Sequence, residues 1–252
     1  MVIPFQTGPE IRDAIPVVIR HLRSGGLVGY PTETVYGVGS LATEEALAQL
    51  AEMKGRPEGK PFLLLVSSRL MAENHGLVFT ASADLLSQAF WPGPLTLVLA
   101  GAEGRLPDSL RGREGGIAVR HTSQKGIAEL IRALGQPLTS TSANRPGGPP
   151  APGGAHVEEL FPEAVASGRL LVLDGGVLGN VPPSTLVDCT TTVPRLIREG
   201  ALPRGELRRA AGRLAPGGAE CTSCSSAPET PADPPSRPDS CPGCSRSGRS
   251  TG

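Results

Sequence analysis

From about Ser40 to Gly200, short uninterrupted apolar runs alternate with stretches whose apolar residues recur at helical spacing. Runs at 27–30 (LVGY), 62–67 (FLLLVS), 95–100 (LTLVLA), 116–120 (GIAVR), 170–174 (LLVLD), 184–188 (STLVD) and 195–199 (RLIRE) predict β-strands. Most lack the in–out alternation of a half-solvated strand, so they predict strands covered on both faces. Between them, Ala46, Leu47, Leu50 and Ala51 keep helical register behind Thr43, an N-cap residue. Glu44 and Glu45 occupy the first turn, where the helix dipole favours acids, and Gly55 supplies the stop. A second helix is predicted over about 123–134, with Ile127, Leu130, Ile131 and Leu134 on one face and Gly135 behind it. A third opens the chain at about 9–23, where Pro16 is expected to kink it or end its first turn. Weaker helical patterns cover about 82–90 and 155–166.

This alternation predicts an α/β fold, with a mixed sheet largely covered by flanking helices. One domain is predicted over 1–212. From 213 to 252 the chain is rich in Pro, Ser and Gly and nearly free of large apolar residues. Such a segment buries too little surface to offset its ordering entropy, and it reads as a disordered tail. The tail carries CTSC and CPGC, which place Cys221, Cys224, Cys241 and Cys244 in two C-x2-C pairs separated by sixteen residues. Four thiolates so spaced suit tetrahedral zinc, but the intervening segment has no apolar residues for ribbon strands. The disordered tail is the preferred reading.

Composition narrows the function classes. The 252 residues carry 24 Lys and Arg against 24 Asp and Glu, so no bulk field draws the protein to nucleic acid or to an anionic membrane. Electrostatic specificity must be local. Aromatic residues make up 3% of the chain, so the core must be built mainly from Leu, Val, Ile and Ala. No apolar run approaches the roughly 18–20 residues of a membrane span. The opening MVIPFQTGPE lacks the cationic and apolar regions of a secretory signal, so a cytoplasmic location is expected. Only Cys189 lies in the predicted domain, which excludes a disulfide framework there.

The candidate chemistry begins at KGRPEGKP, residues 54–61. It resembles a P-loop but has three residues, not four, between Gly55 and Gly59, and Pro61 where a magnesium-binding hydroxyl belongs. It also follows a predicted helix and precedes a strand, the reverse of P-loop order. Taken alone, it is equally a solvated loop whose Lys54 complements a helix C-terminus. YPTETVYGVGS (30–40) gathers Thr32, Glu33, Thr34 and Tyr36 at a strand end, where α/β sheets place ligand crevices. Its Gly37 and Gly39 read as turn residues. PLTSTSAN (137–144) follows a helix with four hydroxyl residues and ends in Ser142-Ala143-Asn144. These groups suit ribose, phosphate or an amino acid, and equally suit caps and turns. FWPGPLTLVL (90–99) reads as structural. Two late strands carry Ser184, Thr185 and Arg198, and a cation on a buried strand requires an anion. There is no G-x-S-x-G and no H-E-x-x-H, and the four histidines are scattered. His121 reads as a strand-end residue and Cys189 as a small buried one.

In that order, PTETVYGVG, KGRPEGKP, FWPGPLTLVL, TSTSAN and STLVD…LIREG resemble the YrdC/Sua5 family over about residues 10–202. The resemblance implies a single twisted α/β domain around a concave, electropositive cavity. It implies synthesis of L-threonylcarbamoyl-AMP from L-threonine, bicarbonate (or CO2) and ATP with release of pyrophosphate, Mg2+ accompanying the ATP. A separate transferase complex would then modify N6 of adenosine 37 in ANN-decoding tRNAs. The family's K-x-R and S-x-N signatures fall on Lys54, Arg56, Ser142 and Asn144, and a further basic position falls on Lys60. Its threonine-handling hydroxyls fall on Thr32 and Thr34, a carboxylate-binding arginine on Arg120, and late Ser and Arg positions on Ser184 and Arg198. A protein metal site is not implied. The chain departs from the pattern at Leu65, often His in Sua5-type members, and in RPGGPPAP (145–152), which lacks a customary serine and a later arginine. Its length matches the short, YrdC-like form. The rival readings are a tRNA- or double-stranded-RNA-binding module without catalysis and a related carbamoyl-transfer enzyme. Balanced charge and the absence of attached modules weigh against them.

Overall fold

The computed structural model describes residues 1–56, 60–179 and 181–215. Residues 216–252 of the predicted tail, with its four cysteines, residues 57–59 of the basic loop and residue 180 lie outside the described residues. In chain order the elements are β1 (Val2–Pro4), α1 (Gly8–Arg23), β2 (Leu27–Tyr30), β3 (Gly37–Gly39), α2 (Glu44–Lys54), β4 (Leu63–Val66), α3 (Arg69–Asn74) and β5 (Leu77–Val78). There follow α4 (Ala81–Phe90), β6 (Leu95–Gly101), β7 (Ile117–His121), α5 (Lys125–Leu134), β8 (Leu138–Ser142), α6 (Gly154–Leu160), α7 (Pro162–Ala166), β9 (Leu170–Asp174), β10 (Thr185–Asp188), β11 (Arg195–Arg198) and α8 (Arg204–Ala211).

The strands form one mixed sheet in the order β1-β9-β2-β3-β8-β4-β7-β6-β10-β11, with β5 added against β6. The pairs β1/β9, β2/β9, β4/β7 and β6/β10 are parallel, and the others are antiparallel. Successive residues of the apolar runs enter opposite cores. Leu64 and Val66 pack with α2 and α4, whereas Leu65 packs with α1 and α5. Leu170 and Val172 divide from Leu171 and Leu173 in the same way. Two-sided burial is therefore why these strands read as unbroken apolar runs.

Three expectations change. Pro16 does not end α1, which runs on to Arg23. Pro16 is exposed, so the carbonyl it leaves unpaired one turn back can face water. The pattern at 155–166 resolves into two short helices parted at Phe161, because the residue before Pro162 is held out of the α region at φ −131°. GVG and LTSTS, read as turn and hydroxyl segments, are the adjacent strands β3 and β8. A Cβ on Gly39 would sit 1.8 Å from the Thr139 carbonyl oxygen, so close strand approach requires that glycine. Among the described residues no helix is long and apolar enough to cross a membrane.

Candidate active site

The basic loop is fixed from the helix before it. The Thr43 hydroxyl caps α2 by accepting from the Ala46 amide (3.3 Å), and Gly55 ends it in the left-handed region at φ 56°. That end delivers Lys54, only 5% exposed, to the end of β8. Its Nζ donates to the Ser142 carbonyl (2.7 Å), the Asn144 Oδ1 (2.7 Å) and the Asn144 carbonyl. Those are all three donors of an ammonium. Ser142 Oγ also donates to Asn144 Oδ1 (2.7 Å), and Asn144 Nδ2 donates to the Gly148 carbonyl (2.8 Å). Burial, followed by the charges of Arg56 and Arg145, pulls the Lys54 ammonium down to about 8.

Arg56 spreads its fork over the same corner. It donates to the carbonyls of Lys60 (2.9 Å) and Pro61 (2.7 Å) and to Thr141 Oγ1 (2.9 Å), with its guanidinium 4.5 Å over the Phe62 ring. Burial lowers its pKa. Lys60 is exposed and contributes its carbonyl to this network. Arg145 lies 5.1 Å over the Phe161 ring, and Lys54 Nζ lies 6.0 Å from the same centroid.

A second cluster forms beyond β2. Thr32 Oγ1 donates to the Val35 carbonyl (2.7 Å) and accepts from the Thr34 and Val35 amides (3.2 Å each), so its hydroxyl is committed to its own turn. Arg120 on β7 donates to Thr34 Oγ1 (3.3 Å) and stands 3.6 Å from Glu33 Oε1. Leu65 pairs with Arg120 in the β4/β7 register and is fully buried, so an apolar side chain occupies the point of departure noted above. Buried Ser184 shares a hydrogen bond with Thr96 Oγ1 (2.8 Å), and Arg198 donates to the Ser184 carbonyl (2.8 Å). Arg198 stands exposed on the last strand of the sheet path, contrary to the expected buried position. Partial desolvation, then the Arg120 charge, lowers its pKa.

The clusters are joined where the Ala143 amide donates to the Tyr36 carbonyl (2.8 Å) and Gly37 pairs with Ser142. The structure thus gathers Lys54, Arg56, Ser142 and Asn144 in one group and Thr32, Thr34 and Arg120 in another, while Ser184 bonds to Arg198 and to Thr96. Thr96, Arg145 and Phe161 escaped the sequence reading, whereas Thr141 was one of the four hydroxyl residues noted in PLTSTSAN. Arg145 directly follows the Ser-Ala-Asn signature, but Phe161 becomes its neighbour only by folding. A cavity of about 580 Å³ lies elsewhere, between the N-terminal ends of α1 and α5, and includes Gln6, Arg12, Lys125 and Glu129 in its lining. Cys189 is fully buried, and burial pushes its thiol up to about 12, which suits packing and not nucleophilic attack. His121 ends β7 as expected, and burial lowers its pKa.

The Sua5_yciO_yrdC family model, described as telomere recombination, matches residues 20–200. The threonylcarbamoyl-AMP synthase of Thiobacillus denitrificans is 36% identical over 188 residues, covering 74% of this chain and 97% of that protein. The threonylcarbamoyl-AMP synthase of Pyrococcus abyssi is 34% identical over 201 residues, covering 79% of this chain but only 58% of its own length. The crystal structure of P. abyssi Sua5 complexed with L-threonine superposes with a TM-score of 0.76 at 32% identity, covering 85% of this chain and 62% of that one. With the family model matching residues 20–200, and relatives that share both its sequence and its fold, this chain belongs to the Sua5/YciO/YrdC family.

Proposed function

We propose that this protein is an L-threonylcarbamoyl-AMP synthase, a nucleotidyltransferase that consumes L-threonine, bicarbonate (or CO2) and ATP and releases pyrophosphate. The supporting observation is the convergence of Lys54 and Arg56 on Ser142, Asn144 and Thr141, beside an Arg120–Thr34 pair. The threonine amine attacks the carbon of CO2, losing a proton, or that of bicarbonate, losing water, and an oxygen of the resulting carbamate attacks the α-phosphorus of ATP as pyrophosphate leaves. Neither step needs a protein nucleophile. Both need fixed positive charge and donors around phosphate and carbamate oxygens.

In this reading Lys54, Arg56, Lys60, Ser142, Asn144 and Arg198 serve the nucleotide, across a concave electropositive cavity. Thr34, Arg120 and Ser184 serve L-threonine, with Arg120 on its carboxylate, and Thr32, expected to bind it too, holds the turn that presents Thr34. Among the described residues no group of three or more His, Cys, Asp or Glu is placed to hold a metal. Magnesium would accompany the ATP, where phosphate oxygens suit a hard cation that shields their charge. The product passes to a threonylcarbamoyl transferase complex in the cytoplasm and thence to tRNA.

The test is incubation with ATP, L-threonine and bicarbonate. Pyrophosphate release that requires threonine is expected. Release indifferent to threonine, or none, rejects the proposal. RNA binding without turnover would favour the rival module.

A further inference from the structure

Glu33 is an acid set among cations. One carboxylate oxygen, Oε2, accepts from Thr122 Oγ1. The other, Oε1, is buried and has no hydrogen-bond partner among the described residues. It faces Arg120 Nη1 at 3.6 Å, well beyond the roughly 2.7–2.9 Å of a charge-assisted hydrogen bond. Arg120 is itself only 4% exposed, and its Nε is likewise buried without a partner among the described residues. The loose ion pair beside Thr34 thus keeps one buried atom of each sign, Glu33 Oε1 and Arg120 Nε, without a hydrogen-bond partner among the described residues. Buried polar atoms left open in this way call for an explanation, and a ligand that satisfies both is the simplest.

An α-amino acid is such a ligand. Its ammonium and carboxylate are carried on one carbon, each one bond of about 1.5 Å away, so both charges arrive within the span of neighbouring side chains. A plain carboxylate would satisfy Arg120 but meet repulsion from Glu33. We propose that Glu33 Oε1 receives the α-ammonium of the substrate while Arg120 receives its carboxylate, so that Glu33 selects amino acids over hydroxy acids. This rests on the assignment of Arg120 to the threonine carboxylate. It adds a specificity residue that is separate from the nucleotide-facing cations.

The experiment compares calorimetric binding of L-threonine with that of 2,3-dihydroxybutanoate of matching configuration, in which a hydroxyl replaces the amine. The wild-type protein should prefer L-threonine by about tenfold or more. Glu33→Gln should lose about tenfold in L-threonine affinity yet leave the hydroxy acid within about twofold. Equal weakening of both ligands would show that Glu33 only holds Arg120 in place, and would overturn the inference. Unchanged L-threonine binding would do the same. A wild-type preference near unity overturns it with no variant at all, so misfolding of Glu33→Gln cannot rescue it. Threonine-dependent pyrophosphate release alongside that result would leave the synthase reading standing, whereas loss of both would remove the two together.

Discussion

Lys54 Nζ closes onto both acceptors of Asn144, its backbone carbonyl and its side-chain Oδ1, across 90 residues of sequence. With the Ser142 carbonyl, these bonds use every ammonium donor. Lys54 therefore sets the shape of the Ser-Ala-Asn corner as well as supplying charge to it. Lys54→Ala should lower threonine-dependent pyrophosphate release by about a hundredfold to a thousandfold, the scale of losing one preorganised charge contact. Circular dichroism should show the fold intact. Activity within twofold of wild type would remove Lys54 from the machinery.

The depressed pKa of Lys54 fixes a direction for pH. Its folded value of about 8 lies below the ordinary 10.5, so the cation is lost as pH rises through about 8. Activity that needs this charge should fall above that point. Folding disfavours the charged form, and this cost is fully present below pH 8 and fades as pH rises toward 10.5. A bound triphosphate favours the cation and raises the pKa again. Nucleotide binding near pH 8.5 should therefore take up protons. Calorimetry in buffers of differing ionisation enthalpy should yield buffer-dependent heats that collapse in Lys54→Met. Buffer-independent heats would contradict the assignment.

Arg56 cannot be replaced by another cation. Its three directed bonds reach the Lys60 and Pro61 carbonyls and Thr141 Oγ1 at once, which a lysine ammonium on a flexible stem cannot reproduce. Arg56→Lys should lower kcat/KM for ATP by about tenfold to a hundredfold, the cost of misplacing a positioned group. The net charge is unchanged, so an activity near wild type would mean that charge alone suffices.

Gly39 tests the sheet. Its hypothetical Cβ falls 1.8 Å from the Thr139 carbonyl oxygen and 3.0 Å from Tyr30 Oη, both in the buried sheet. Gly39→Ala must push β3 from β8 and should destabilise by about 1–3 kcal/mol or more, as overpacking does. Gly135→Ala, which meets nothing within 4 Å, is the steric control, although its φ of 79° adds strain of its own. A melting temperature for Gly39→Ala equal to wild type would show that the sheet gives way freely.

The local signals fixed at each end of a helix survive in the structure because they act within a few residues: Thr43 and Gly55 bound α2 as their chemistry dictates. FLLLVS and LLVLD declared themselves as strands because both of their faces meet apolar cores. The candidate site residues Lys54, Arg56, Ser142 and Asn144 were picked out only by five motifs taken together as a family resemblance; singly, each motif read equally as a solvated loop, a cap or a turn. Tertiary structure decided the rest. β3 and β8 pair across about a hundred residues, and neither the glycines of one nor the hydroxyls of the other carry a strand's apolar signature. The commitment of the Thr32 hydroxyl to its own turn, the exposure of Arg198 and the unpartnered oxygen of Glu33 depend on which groups folding brings within reach. A hydrogen bond is settled by distance and direction in space, and sequence order sets those only over the few residues of a turn or a cap.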